Sequence, residues 1–189
     1  MVKIIEKENK ILNEKYYAFK HKTGLDVYVF PKKLTTSYAL FATRYGAVDN
    51  KFMIEGDKDF TSVPDGIAHF LEHKMFECEG GVDAFELYAK TGASANAYTS
   101  NTMTAYLFSC TEKFDESLEI LLDFVTHPYF TEATVQKEQG IIGQEIRMYD
   151  DHPGARLEKG LLQAMYEKNK MRIDIAGTTE SIAEITADT

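Results

Sequence analysis

Two cysteines, Cys78 and Cys110, are all that the 189 residues contain. Two cannot build a disulfide framework, and their spacing is not that of a zinc thiolate pair. Both read as plain structural thiols, which fits a cytoplasmic protein. No run of eighteen apolar residues occurs, so no membrane-spanning helix and no membrane partner are expected. Positive charge is also short: 21 lysines and arginines stand against 30 aspartates and glutamates, a net charge of −9. Nucleic acid asks for a basic footprint, and this chain has none. The opening MVKIIEKENK is too charged and too poor in apolar residues for a secretory leader. Internal repeats and low-complexity linkers are missing as well. What remains is 44% hydrophobic and 27% charged, an ordinary globular composition at a length that suits one domain and one sizeable core.

Residues 69–73 read His69-Phe70-Leu71-Glu72-His73, the H-x-x-E-H pattern. Residues four apart on a helix stand one above the other, so His69 and His73 present two imidazoles to one point. Glu72 lies at the edge of the same face. Two neutral imidazoles and an adjacent carboxylate are what a catalytic zinc ion takes from one helix. A third protein ligand must come from elsewhere in the chain. Gly66-Ile67-Ala68 before the motif and Lys74-Met75-Phe76 after it leave the helix apolar on most sides, as for a helix in the interior. Unpartnered histidines and a glutamate there would be costly, and a metal removes that cost.

A second helix is predicted over Thr131 to Tyr149, with Thr131 as its N-cap. At about 100° per residue, Glu138, Ile141, Ile142, Glu145 and Tyr149 share one side of it. Two inward carboxylates need a positive partner, and a divalent cation supplies one. Gly140 and Gly143 each cost a helix about 1 kcal/mol relative to alanine, which close approach of a neighbouring helix would explain.

H-x-x-E-H followed about seventy residues later by E-x₆-E resembles the pitrilysin/insulysin family of inverzincin metallopeptidases, which includes mitochondrial processing peptidase. Pro64 to His73, PDGIAHFLEH, is similar to bacterial cytoplasmic members, and the order of motifs agrees along essentially the whole chain. The resemblance implies one zinc ion per domain, held by His69, His73 and Glu145, with Glu138 as a supporting carboxylate behind the ligands. Gly92 to Ser100, GASANAYTS, is similar to the segment entering the family's active-site edge strand. By that likeness Ala95, Asn96, Ala97 and Tyr98 lie along the substrate, a peptide added as a β-strand. The family also pairs two related halves, in one chain or between chains. Residues 1–189 are then the N-terminal metal-binding half, with a homologous second half or subunit as partner.

Other elements follow from local pattern. Tyr16 to Lys22 and Leu25 to Pro31 read as strands around a turn at Thr23-Gly24, and Ser37 to Tyr45 as a third strand. Asn50 to Pro64 is a polar loop. A helix near Val82 to Lys90 stops at Gly92, a C-terminal cap. Ala95 to Thr99 and Thr102 to Cys110 are strands; helices follow at Phe114 to Thr126, Thr131 to Tyr149 and Gly154 to Tyr166. The fold class is α+β, an antiparallel-rich sheet with helices packed on one face, like half of a mitochondrial processing peptidase. Ser181-x-x-Glu184 carries a capping-box signature and predicts a helix start barely two turns before Thr189. The expectation is a single domain cut before its last helix and strand. His127, His152 and His21 are given no site role, being placed at a helix end, in a turn and on a strand.

With three protein ligands, zinc keeps a fourth position for water and lowers its pKa toward neutrality. Glu72 is then the general base and proton shuttle of peptide hydrolysis by a zinc metalloendopeptidase, inactive as an isolated half. Two alternatives stand. One is a non-catalytic scaffold half, although such halves usually lose a motif residue and none is missing here. The other is an S-ribosylhomocysteine-type lyase, which also uses H-x-x-E-H but takes a cysteine as third ligand, for which Cys110 is a candidate.

Overall fold

The computed structural model describes residues 3–189, which fall into two units divided after Thr35. In the first, β1 (Ile5–Asn9), β2 (Glu14–Lys20) and β3 (Asp26–Val29) form an antiparallel meander in chain order. The β2–β3 turn falls at Thr23-Gly24 as predicted, with Gly24 at φ +94° and its N–H donating to His21 O at 2.9 Å. His21 sits in that turn rather than on the strand, its Nδ1 2.9 Å from Thr23 Oγ1. The sequence reading missed β1, whose five residues IEKEN are all exposed and so show no apolar face.

The second unit, Thr36–Thr189, holds every motif residue. Its first strand is β4 (Ser37–Thr43), and the polar loop after it folds into a two-residue hairpin, β5 (Lys51–Phe52) with β6 (Thr61–Ser62). Then come α1 (Ile67–Lys74), α2 (Ala84–Thr91), β7 (Ser94–Thr99) and β8 (Thr104–Cys110). The strands form an antiparallel sheet in the order β4-β8-β7, so β7 is an edge. Register explains which face is covered. Ala39 and Phe41, Phe108 and Tyr106, Ala95 and Ala97 lie across from one another and so share a side. Onto that side pack Tyr88 of α2 and Leu121 and Phe124 of α3 (Phe114–Thr126). This is the one-sided α+β layering expected from the sequence, and Asp83 and Gly92 cap α2 at its two ends.

Helix α4 (Glu132–Asp151) begins at its Thr131 N-cap, followed by α5 (Pro153–Met165) and the short α6 (Thr179–Ala183). A second apolar cluster joins Ile67 and Phe70 of α1 to Val135, Ile142 and Ile146 of α4 and to Ile182 and Ile185 near the C-terminus. Thus α1 runs between two cores. Its N-terminus is fixed by a backbone crossing: a Cβ on Gly66 would lie 2.5 Å from Ala176 O, and one on Gly177 2.4 Å from Asp65 O. Both glycines have positive φ, +91° and +74°. Only glycine serves both needs at once.

Three local expectations are corrected. The buried side of α4 is Val135, Glu138, Ile142 and Ile146, whereas Ile141 and Tyr149 are exposed, one position out of phase with the predicted stripe. A Cβ on Gly140 would meet nothing within 4 Å among the described residues, and one on Gly143 only the tip of Arg147 at 3.7 Å. No close helix approach explains them. Finally, Ser181 is not an N-cap: Thr178 caps α6, and Ser181 is its reciprocal partner three residues on. The TTES run offers several capping hydroxyls, and Gly177 turns the chain so that the first suitable one is used.

Candidate metal centre

One turn of α1 brings the two motif imidazoles together edge to face, ring centroids 4.6 Å apart. Val135, Ile142 and Ile146 seat α4 against α1, which carries the two inward carboxylates of α4 to those rings. Glu145 receives both histidines: His69 Nε2 lies 3.7 Å from Oε1, and His73 Nε2 3.4 Å from Oε2. One donor atom from each of His69, His73 and Glu145 falls within 4.8 Å of the others. Glu138 stands on the far side of the His73 ring and accepts from its Nδ1 at 2.9 Å.

The surroundings separate the two imidazoles. Burial, then the neighbouring His73, pushes His69 down to about 4, so its ring is neutral at pH 7. The hydrogen bond to Glu138 holds His73 above the ordinary imidazole range, against its burial. Glu72 is raised above the usual carboxylate range, chiefly by burial, while a hydrogen bond from Thr99 works the other way. That bond runs from Thr99 Oγ1 to Glu72 Oε2 at 2.6 Å.

A divalent cation fits this donor set on the structure's own terms. Three carboxyl groups, Glu72, Glu138 and Glu145, gather around the two imidazoles, and among the described residues no lysine or arginine forms a salt bridge to any of them. His₂Glu with an open position matches zinc. His69 Nδ1 is buried with no hydrogen-bond partner among the described residues. Neither cysteine joins this cluster: Cys110 is buried with Tyr88 and Phe108, and Cys78 packs against the same core, so the thiolate a lyase would need is elsewhere.

Along β7, Ala95, Ala97 and Thr99 are half-buried, while Ser94, Asn96 and Tyr98 are exposed. The Ala97 N–H donates to the Asn96 side-chain carbonyl at 2.9 Å. Two cavities meet at the motif. One of about 380 Å³ is floored by the stacked rings of Phe76 and Phe85, with Asn96, Ala97 and Ile141 at its walls. The other, about 500 Å³, takes in Tyr98, Thr99, Tyr149, Leu162 and Asp174. Glu72, His73 and Ala97 border both.

His69, Glu72 and His73 of α1, Glu138 and Glu145 of α4, and Asn96, Ala97 and Tyr98 of β7 therefore border one region. Ala95 does not join them: it lies across from Phe108 and packs against the core under α2 and α3. The sequence reading missed Thr99 as a partner of Glu72, although strand alternation puts it on the same face as Ala95 and Ala97. It also missed Lys159, whose Nζ bridges Asp150 at 3.3 Å and Asp174 at 3.1 Å beside the larger cavity. No local pattern marks that bridge.

The model of the family Insulinase (Peptidase family M16) matches residues 61–179. The chain is 57% identical over its full length to "Uncharacterized zinc protease YmfH" of Bacillus subtilis (strain 168), of which it spans 44%. The crystal structure of an M16-like peptidase from Alicyclobacillus acidocaldarius superposes with a TM-score of 0.86 and 48% identity, over 90% of this chain and 40% of that one. Pitrilysin shares the fold at a TM-score of 0.76 and 17% identity, over 97% of this chain and 20% of its own.

Proposed function

The chain belongs to the insulinase family, peptidase family M16, and from that membership we propose that it is the metal-holding half of a zinc endopeptidase. The observation that carries the proposal is the convergence of His69, His73 and Glu145 from two helices, with Glu72 beside them and free of the ligand set. His69 Nε2, His73 Nε2 and a Glu145 oxygen would hold the ion. Bound there, zinc supplies Lewis-acid polarisation of the scissile carbonyl and an acidified water.

The chain's own groups do the rest. Glu138 fixes the His73 ring and keeps its Nε2 turned toward Glu145. Glu72 takes a proton from the attacking water and passes it to the leaving amine nitrogen. A peptide lies along the β7 edge as an added strand, its backbone meeting groups such as the Ala97 N–H once Asn96 gives way. Tyr98 and the two cavities receive its side chains. The chain spans under half of the relatives described above, so we assign the rest of the substrate grip to a second homologous half. We place the enzyme in the cytoplasm on its two free cysteines; among the described residues no helix is long and apolar enough to cross a membrane.

The test is Glu72→Gln in the full-length protein, assayed with a quenched fluorescent peptide library. Turnover should fall by about 10²–10⁴-fold with zinc content unchanged. Retained turnover contradicts the general-base role.

A further inference from the structure

We infer that Thr99 is a positioning residue for the base: its hydroxyl, carried by the strand that would receive the peptide, sets which way the Glu72 carboxylate faces. The inference rests on the reading of Glu72 as general base.

Thr99 Oγ1 donates to Glu72 Oε2 at 2.6 Å, the length of a strong bond to an ionised acceptor. Among the described residues this is the only hydrogen bond the Glu72 side chain makes. One oxygen is therefore held and the other, Oε1, is left to accept a proton. Glu72 borders both cavities, so without the hydroxyl its carboxylate has open space on either side to rotate into.

The hydroxyl can act as a fixed reference because its backbone cannot drift. Thr99 pairs with Thr104 at the end of the β7–β8 ladder, and the turn beyond is closed by Ser100 N–H to Met103 O at 2.8 Å. That turn is pinned in its turn by Ala47 N–H to Ser100 O at 3.0 Å. Threonine adds a stiff χ1, as β-branched residues do. Ala95 and Ala97, on the same face as Thr99, are small enough to let α1 lie close to the strand. The strand that registers the peptide is thus also the strand that aims the base, so scissile bond and carboxylate share one frame.

Thr99→Val keeps the shape and removes the donor; Thr99→Ser keeps the donor. In the full-length protein, Thr99→Val should lower kcat about tenfold to a hundredfold, a loss of the size that misplacing a reacting group causes. KM, zinc content and the thermal midpoint should stay near those of the parent. Thr99→Ser should restore most of kcat. In a crystal structure of zinc-loaded Thr99→Val, the Glu72 carboxylate should be rotated from its original orientation. Thr99→Val within twofold of the parent kcat, a Thr99→Ser as impaired as Thr99→Val, or an unmoved Glu72 each overturns the inference. If Thr99→Val does not fold, Thr99→Ala against Thr99→Ser gives the same comparison. Glu72→Gln separates the levels: an active Glu72→Gln removes the base, whereas an inactive one beside a fully active Thr99→Val removes only the role of Thr99.

Discussion

His73 Nδ1 donates to Glu138 Oε1 at 2.9 Å, across 65 residues of chain and between two helices. The carboxylate sits 12% exposed, where an uncompensated charge would be costly. Its proton-bearing partner makes the position tolerable, and the pairing decides the tautomer: with Nδ1 committed to Glu138, Nε2 is the nitrogen left for a metal.

Removing that support should be visible in metal affinity before anything else. Glu138→Ala should weaken zinc binding by about 10–100-fold, and Glu138→Gln, which keeps an acceptor, by less. Competition against a chromophoric chelator measures both. Equal affinities for the three proteins would show that Glu138 does not orient His73.

Two glycines with similar backbone angles should respond differently to alanine. Gly92, at φ +75°, has nothing within 4 Å of a built Cβ among the described residues, so Gly92→Ala should cost only about 1 kcal/mol. Gly177, at φ +74°, would place its Cβ against Asp65 O, and Gly177→Ala should cost about 3 kcal/mol or more. Urea unfolding distinguishes them; comparable losses would mean that the crossing beneath α1 yields easily.

Gly140 points the other way. It lies on the exposed side of α4, and an added methyl there meets no neighbour among the described residues. Gly140→Ala should therefore stabilise the fold by about 0.5–1 kcal/mol and raise Tm by about 1–4 °C. A lower Tm would mean that the position serves a need the geometry does not show.

The chemistry of this chain was legible where it is periodic and local. His69 and His73 are four apart, Glu138 and Glu145 seven apart, and both spacings survive folding because helices preserve them. Gly92 and Thr131 cap helices through bonds to nearby residues, so short sequence windows sufficed. What was not legible depends on long-range placement. The α4 stripe was read one residue out of phase because Ile141 and Tyr149 face the cavities rather than the core, and hydrophobicity alone does not separate those faces. The S-x-x-E signature misled at Ser181 because Thr178, three residues earlier, competes for the same helix start. Thr99 looked like the end of a strand until α1 was set against it. The crossing of Asp65-Gly66 with Ala176-Gly177 joins residues more than a hundred apart, and no local pattern in the sequence marks it.

The central claim, a zinc ion shared by α1 and α4, is tested most directly by metal content together with anomalous diffraction at the zinc edge. The full-length protein should carry one zinc per chain, with a single anomalous peak between His69 Nε2, His73 Nε2 and the Glu145 carboxylate, and Glu145→Ala should lose it. A peak elsewhere, or a Glu145→Ala protein that keeps its zinc, would contradict the site.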